Sequence, residues 1–322
     1  MKAFAALLLA AATLLGSVAQ AQEWPTRPVR IIAPFGVGGT ADIVSRFIGE
    51  YFSRALKQQF VVENRPGAGG AIGALAIARA EPDGYTLGVT NVTTMSLVPV
   101  INPKTAYNPL TDFTHIAYIA GAPVVLAVHP STNIKTLADF VEYGRRSEKP
   151  LTFASAGVGS DGHVMGEAIA ATLRVKVEHV PYRGTSQGLT DAVGGHVVFT
   201  TFTSASTSSF IRAGTLQALA VTSPERLQDY PDMPTFKELG YPSLVSSTWY
   251  ALSGPPGLPT PIAERLSAEL ASFLAKPDVQ DQLRKYGLVH QPMTMTEFNR
   301  FVANESARWK PMIEAAGLVG KQ

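Results

Sequence analysis

Two short glycine-rich segments have the composition and spacing of an anion-binding turn. Residues 36–42 read GVGGTAD and residues 157–163 read GVGSDGH, and each segment follows a short apolar run. Glycines allow backbone amides to converge, and the free N–H groups and dipole of a following helix favour an anion. A single loop of this kind is more often only a tight strand-to-helix turn. Two similar loops in separate parts of the chain instead predict a shared anion-binding cleft.

Polar side chains cluster near the second loop. Ser155 and Ser160 offer hydroxyl groups, and Ser160 fits the N-cap position of a helix. His163 is interpreted as a hydrogen-bonding histidine at a cleft or domain face. Tyr182 and Arg183 precede a further helix start, and an arginine has the geometry to pair with a carboxylate through two hydrogen bonds. A surface arginine after a turn is an equally good interpretation of Arg183.

Catalytic and metal-binding alternatives are weaker. Ser160 and His163 form the basis of an alternative hypothesis, an exported α/β hydrolase-like enzyme, but both lie within four residues and lack the G-x-S-x-G elbow. His163 and Glu167 share a helix face, yet no second pair or H-E-x-x-H motif supports a metal site. The glycines of residues 67–73 loosely match a dinucleotide turn, but the next strand does not end in the acidic residue that binds a ribose. These motifs therefore favour neither a catalytic site, nor a metal site, nor a dinucleotide cofactor.

The elements around these loops alternate between strands and helices. Residues 29–34, 60–63 and 85–90 are predicted strands with helices between them, and the same alternation restarts at residue 124. This pattern predicts parallel α/β layers in two domains, with residues 22–123 and 250–322 in the first and 124–249 in the second. The C-terminal helices are expected to pack back on the first domain. Two crossings between domains imply a hinged cleft, and both loops are expected at its edge.

Composition limits the class of protein. Residues 1–21 carry the charged, apolar and small-residue regions of a cleavable export signal. Without that segment the chain has 26 basic and 25 acidic residues, a balance that does not favour nucleic-acid binding. Cysteine is absent, so disulfides and thiolate chemistry are excluded. These features favour a periplasmic protein.

Ordered motifs across nearly the whole mature chain resemble one known family. They are PTRPVRIIAPF at residues 25–35, GGTAD at 38–42, VENRPGAGG at 62–70, PDGYTL at 82–87, FASAG at 153–157, HVPYRG at 179–184, PTF at 234–236 and Trp309. They resemble the substrate-binding receptors of tripartite tricarboxylate transporters, called the Bug family. The resemblance implies a two-domain Venus-flytrap fold that captures a small organic carboxylate and delivers it to membrane permease subunits. A receptor that feeds a sensor kinase is a further alternative.

The resemblance also implies which residues bind the ligand. In this family two facing loops hold a carboxylate largely through backbone amides, hydroxyl groups and waters, without a catalytic residue or cofactor. We also expect a monomer. The corresponding residues here are Phe35, Gly36, Val37, Gly38, Gly39, Thr40 and Asp42 in one loop, and Ser155, Ala156, Gly157, Gly159, Ser160 and His163 in the other. Tyr182, Arg183 and Thr203 complete the predicted set.

Three departures from the family pattern bear on specificity. Val37 stands where many relatives have proline, and Gln187-Gly188 replace a usual Ala-Pro pair. Residues 198–209 are rich in Thr and Ser where relatives often carry an acidic residue. With less negative charge there, an ammonium group would lose a partner. The sequence therefore favours a plain carboxylate over a zwitterionic ligand.

Overall fold

The computed structural model describes residues 24–315 and 317–320. The export signal predicted at residues 1–21 lies outside this part of the chain. In chain order the strands are β1 (Val29–Ala33), β2 (Phe60–Asn64), β3 (Thr86–Asn91), β4 (Thr114–Ala122), β5 (Val124–Val128), β6 (Leu151–Ser155), β7 (Val177–Pro181), β8 (Phe199–Thr203), β9 (Gln217–Val221) and β10 (Thr248–Gly254).

Helices connect these strands and cover the sheets. They are α1 (Thr40–Ala55), α2 (Ala71–Ala78), α3 (Val98–Ile101), α4 (Leu137–Arg146), α5 (Asp161–Leu173), α6 (Thr185–Val193), α7 (Ser204–Arg212), α8 (Thr260–Leu274), α9 (Pro277–Lys285) and α10 (Met295–Ala315). Short 3-10 segments and one π-helical turn, Thr93–Leu97, join some of them. None of the helices in the described chain is both long and apolar enough to cross a membrane.

Two five-stranded sheets form the framework. The first has the order β2-β1-β3-β10-β4, and the second has the order β7-β6-β8-β5-β9. The chain passes from the first sheet to the second at Pro123, between β4 and β5, and it returns between β9 and β10. Because β10 lies between β3 and β4 in the first sheet, the return segment is a second physical link between the two sheets.

The sheets are mixed, which corrects the prediction of parallel layers. The pairs of β1 with β2 and β3, and of β6 with β7 and β8, are parallel. In contrast, β10 runs antiparallel to both β3 and β4, and β5 runs antiparallel to β8 and β9. Both β5 and β10 directly follow a crossing between the sheets. The chain therefore enters these two strands from the other sheet and not through a crossover helix within the same sheet.

The C-terminal helices pack back on the first sheet, as predicted. Helix α8 contacts β4 and α1, and α10 contacts β4. A buried carboxylate anchors α10: Glu305 accepts hydrogen bonds from the indole N–H groups of Trp249, at 2.8 Å, and Trp309, at 3.1 Å. Since Trp249 lies in β10, this contact ties the last helix to the strand that returns from the second sheet.

Candidate functional site

A small cavity between the sheets is lined by residues of both glycine-rich motifs. Its volume is about 20 Å³, little more than one water molecule needs. The first sheet and its helices contribute Phe35, Gly39, Thr40, Ala41, Asn91 and Tyr250, and the second sheet and its helices contribute Ala156, Asp161, Gly162, Thr185, Thr201, Phe202 and Thr203. The cavity is therefore built from both halves of the molecule in nearly equal parts.

The first turn of α1 provides the backbone amides that face this cavity. Gly39 is the N-cap of α1 and, lacking a side chain, provides no capping group for the first N–H groups of the helix. Gly39, Thr40 and Ala41 all line the cavity. The positive end of the helix dipole lies at the same place, and together these features favour a bound anion.

Asp42 fixes the conformation of the first loop without lining the cavity. Its carboxylate accepts hydrogen bonds from the Gly38 amide and from Asn64 Nδ2, both at 3.0 Å, and pairs with Arg46 at 2.9 Å. Burial raises the pKa of this carboxyl, but hydrogen bonds from Arg46, the Gly38 amide and Asn64 outweigh burial and hold the pKa below its usual value. Asn64 also donates to the carbonyl of Phe35 at 3.0 Å. The loop is thus fixed by side chains that do not line the cavity.

The first loop touches the segment after β7 directly. A Cβ atom built on Gly184 would lie 3.4 Å from the Gly36 Cα atom, so the two backbones approach closely. The Ser186 hydroxyl donates to the carbonyl of Val37, whose own side chain is exposed. Gly38 adopts a φ of +80°, and a Cβ atom there would lie 2.5 Å from Ser186 Oγ. Glycine at position 38 therefore permits both the turn and the contact.

A buried hydroxyl network also joins the two halves. Thr40 Oγ1 lies 2.5 Å from Thr203 Oγ1 and 2.9 Å from Ser206 Oγ. The Tyr250 hydroxyl hydrogen-bonds with Thr40 and Asn91; burial first, and the nearby Asp161 charge second, raise the pKa of Tyr250 well above its ordinary value. Tyr250 therefore stays a neutral hydroxyl that donates or accepts at the cavity wall.

The second loop is fixed by an internal network. Ser160 caps α5 by accepting from the His163 amide, and its hydroxyl donates to Ser155 Oγ at 3.2 Å. Ser155 Oγ lies 2.6 Å from His179 Nε2, and the rings of His163 and His179 stack with centroids 3.8 Å apart. Burial, and then repulsion from His163, lower the pKa of His179 to about 3. A neutral His179 is thus part of the wall behind the loop.

The catalytic alternative finds no matching geometry at Ser160. The hydroxyl hydrogen of Ser160 is directed to Ser155, and His163 Nδ1 accepts from the Gly159 amide at 3.1 Å. A nucleophile requires its base on the hydroxyl hydrogen. His163 Nε2 lies 3.9 Å from a Glu167 oxygen, and across the part of the chain that the structure describes no group of three or more His, Cys, Asp or Glu side chains is arranged to hold a metal.

The predicted site residues divide into three groups. Phe35, Gly39, Thr40, Ala156 and Thr203 line the cavity. Others do not line the cavity and lie behind it or at the contact between the first loop and the segment after β7: Gly36, Val37, Gly38, Asp42, Ser155, Gly157, Gly159, Ser160 and His163. Arg183 is exposed and outside the lining. The Tyr182 hydroxyl donates to Asp191 at 2.6 Å, and Tyr182 does not line the cavity.

Sequence reasoning missed several lining residues. Asn91 ends β3 and Tyr250 lies in β10, and nothing local distinguishes them from other strand residues. Asp161 lies inside the second motif itself, where its position at the start of α5 was a usable signal. Its carboxylate accepts from Thr248 at 2.6 Å and from Thr93 at 3.4 Å. Burial raises the pKa of Asp161, although the hydrogen bonds from Thr248, Thr93 and the amides of Gly162 and Asp161 oppose that effect.

Comparison with known proteins gives a consistent result. Residues 44–318 match the family model described as "Tripartite tricarboxylate transporter family receptor". A relative from Agrobacterium vitis, "UPF0065 protein in the TAR-I ttuE-ttuC' intergenic region", is 36% identical over 287 residues, which is 89% of this chain and 82% of the relative.

Solved structures agree with this result. The structure described as "R. palustris Rpa4515 with adipate" superimposes with a TM-score of 0.89 at 32% identity, covering 92% of this chain and 99% of that one. "MatC (Rpa3494) from Rhodopseudomonas palustris with bound malate" gives a TM-score of 0.85 at 32% identity, covering 90% and 100%. The two-domain periplasmic-binding-protein fold expected from the sequence is confirmed.

Proposed function

The chain belongs to the tripartite tricarboxylate transporter receptor family of periplasmic solute-binding proteins, and on that premise we propose that it captures a small organic carboxylate between its two sheets. The relatives solved with adipate and with malate support a carboxylate as the ligand class. The captured ligand is then delivered to the membrane subunits of a tripartite tricarboxylate transporter.

One observation carries this proposal: the unfilled first turn of α1 faces an interdomain cavity surrounded by hydroxyl and amide groups. A carboxylate oxygen at Thr40 and Ala41 would receive backbone N–H groups and the positive end of the helix dipole. Side chains that donate or accept there are Asn91, Thr185, Thr203 and Tyr250. Recognition of this kind resembles other sites built from a few placed polar groups in a concave pocket.

We infer that ligand entry requires the two halves to separate. A cavity of about 20 Å³ is smaller than any dicarboxylate, and hydroxyl contacts such as Thr40 with Thr203 close it. We assign residues 22–123 and 250–322 to one moving domain, together with Thr248 and Trp249 at the start of β10, which pair with β4 of the first sheet, and the rest of 124–249 to the other. The crossings near Pro123 and before β10 would serve as the hinge, since hinge motions are absorbed by a few residues between rigid bodies.

The remaining predicted residues receive supporting roles in this proposal. Gly36, Val37 and Gly38 contact Gly184 and Ser186 in the segment after β7, and Asp42 fixes the first loop through the Gly38 amide. Ser155, Gly157, Gly159, Ser160 and His163 fix the second loop. We further propose that the protein is exported by its N-terminal signal, acts as a monomer, and binds its ligand without chemical change.

A thermal-shift experiment tests the proposal. Purified mature protein is incubated with carboxylates of two to six carbons, and the melting temperature and the amount of each compound are both followed. Binding to the native state at a hundredfold excess over Kd adds about 2.7 kcal/mol of stability, which corresponds to a rise on the order of 5 °C. We expect such a rise without loss of ligand. A panel in which no carboxylate stabilises the protein, or consumption of one that does, would overturn it.

A further inference from the structure

The cavity contains one ionisable acidic side chain that the carboxylate-binding role does not explain. Asp161 is the sole charged residue among the described residues that line the cavity, and no Lys or Arg accompanies it there. A site for an anion gains nothing from a carboxylate in its wall. Because like charges at close range disfavour each other's ionised form, the position of Asp161 calls for a ligand with a different group near it.

Asp161 already fills the anion-binding position of the second domain. It is the first residue of α5; the Gly162 amide hydrogen-bonds to its carboxylate, and the Asp161 amide donates to Thr93 Oγ1 at 3.2 Å. The equivalent first turn of α1 has no such group, because the Asp42 carboxylate is directed to the Gly38 amide, Asn64 and Arg46. The two helix N-termini at the cavity are therefore unequal: the first is free for a ligand anion and the second is neutralised by the chain.

The partners of Asp161 favour its charged form. Thr248 and Thr93 donate to it from the opposite half of the molecule, and the Gly162 amide is a donor as well, whereas the Asp161 amide donates to Thr93 Oγ1 at 3.2 Å. A carboxylate with two oxygens can accept about four hydrogen bonds. Burial raises the pKa of Asp161, and these donors oppose that effect by stabilising the ionised state. The carboxyl group at this wall of the cavity is held in place by hydrogen bonds across the domain boundary.

We propose that Asp161 is a specificity residue that selects ligands with one carboxylate and a hydrogen-bond donor at the other end, an ammonium group above all, and rejects ionised dicarboxylates. The ligand carboxylate lies at the first turn of α1 and its donor group faces Asp161. This inference rests on the proposed carboxylate-binding function. It departs from the sequence-based preference for a plain carboxylate, which considered residues 198–209 and not the start of α5.

Matched ligands measure this selectivity directly. Isothermal titration at pH 7.5 compares butanoate, 4-hydroxybutanoate, 4-aminobutanoate and butanedioate, together with the corresponding five- and six-carbon sets. In each chain length that binds, we expect the amino acid to bind more tightly than the plain acid, and the dicarboxylate to bind more weakly than the amino acid by on the order of tenfold or more. This ranking requires the wild-type protein alone.

Two variants separate an effect of the Asp161 carboxylate on ligand selectivity from an effect on folding. Asp161→Asn keeps the size of the side chain and an oxygen that accepts from Thr248, and we expect it to reduce the preference to within about threefold, mainly by improved dicarboxylate binding. The matched control is Asp139→Asn, because Asp139 also lies in the first turn of a helix, α4, in an exposed capping box. That control is expected to keep the wild-type ranking. Circular dichroism verifies the fold of both variants.

The outcomes distinguish the two proposals. If no carboxylate of any length binds, the proposed function itself fails. If carboxylates bind but the wild type accepts dicarboxylates as tightly as amino acids, Asp161 has only a structural role and this inference is overturned. The same conclusion follows if Asp161→Asn folds and retains the wild-type ranking.

Discussion

The hydroxyl oxygens of Thr40 and Thr203 lie 2.5 Å apart, in a buried hydrogen bond between the first turn of α1 and the end of β8. The two residues are 163 positions apart in the chain and belong to different sheets. Both line the cavity. The contact therefore links closure of the two halves to the place where we expect the ligand anion.

Replacing Thr203 by valine tests this link. The Thr203→Val variant keeps the shape of the side chain and removes its hydroxyl, leaving Thr40 with Ser206 at 2.9 Å. A hydrogen bond of this kind contributes about 1 kcal/mol, so we expect roughly fivefold weaker binding of the best carboxylate by isothermal titration. Thr200→Val is the control, because Thr200 lies on the same strand, is equally buried and does not line the cavity. Equal losses in both variants would contradict a specific role for Thr203.

Local patterning predicted most of the framework, and its failures have physical causes. The strands that were missed, β4 and β10, are almost entirely buried and contain Ala and Gly. Neither an alternation of polar and apolar residues nor a run of residues favoured in strands therefore marks them. Helix α7 was missed because its sequence, SASTSSFIR, is poor in strong helix formers. In the fold, Ser208 and Thr207 donate to carbonyls of the preceding turn at 2.6 and 3.1 Å, and burial maintains the helix.

The site was predictable only where it is local in sequence. The glycine loops and Thr40 follow from a motif, since a strand, a tight turn and a helix start are contiguous. Tyr250 reaches the same cavity because β10 returns to the first sheet between β3 and β4. Asn64 fixes the first loop from the end of β2. These side chains meet only through long-range pairing, which no spacing in the sequence records.

Gly38→Ala tests the contact between the first loop and Ser186, in the segment after β7. Both Gly38 and Gly214 have positive φ, +80° and +70°, so alanine at either position carries a backbone strain of about 1 kcal/mol. A Cβ atom on Gly214 meets nothing within 4 Å, whereas one on Gly38 displaces Ser186 from Val37. We expect both variants to lose stability in urea unfolding, and Gly38→Ala to lose more because it also loses the Ser186 hydrogen bond. Weaker carboxylate binding is expected in Gly38→Ala alone, and normal binding by that variant would refute a role for this contact.

Outside the cavity, substitution of Glu305 is expected to be among those that lower the free energy of unfolding most. Replacing it by leucine leaves the indole N–H groups of Trp249 and Trp309 without their acceptor. Each unpaired buried donor costs about 1–3 kcal/mol, so Glu305→Leu should lower the free energy of unfolding by several kcal/mol. Glu314→Leu on the same helix is the control, because Glu314 is exposed and surface changes usually stay within about 0.5 kcal/mol. A small effect of Glu305→Leu in urea unfolding would contradict the anchoring role.

The stability of the second loop is expected to depend on pH through His179. Burial and the neighbouring His163 ring lower the pKa of His179 from 6.5 to about 3 in the folded protein. Between these two values the unfolded chain binds a proton that the native state excludes, so this contribution is complete above pH 6.5 and is lost as pH falls toward 3.

His179→Gln removes the titrating group and keeps a side chain able to hydrogen-bond with Ser155. Carboxylates that titrate in the same range are common to both proteins, so the difference between their urea-unfolding free energies isolates His179. We expect the advantage of the wild type to shrink as pH is lowered from 7 to 4. A difference that stays constant over this range would show that His179 is not held neutral by the fold.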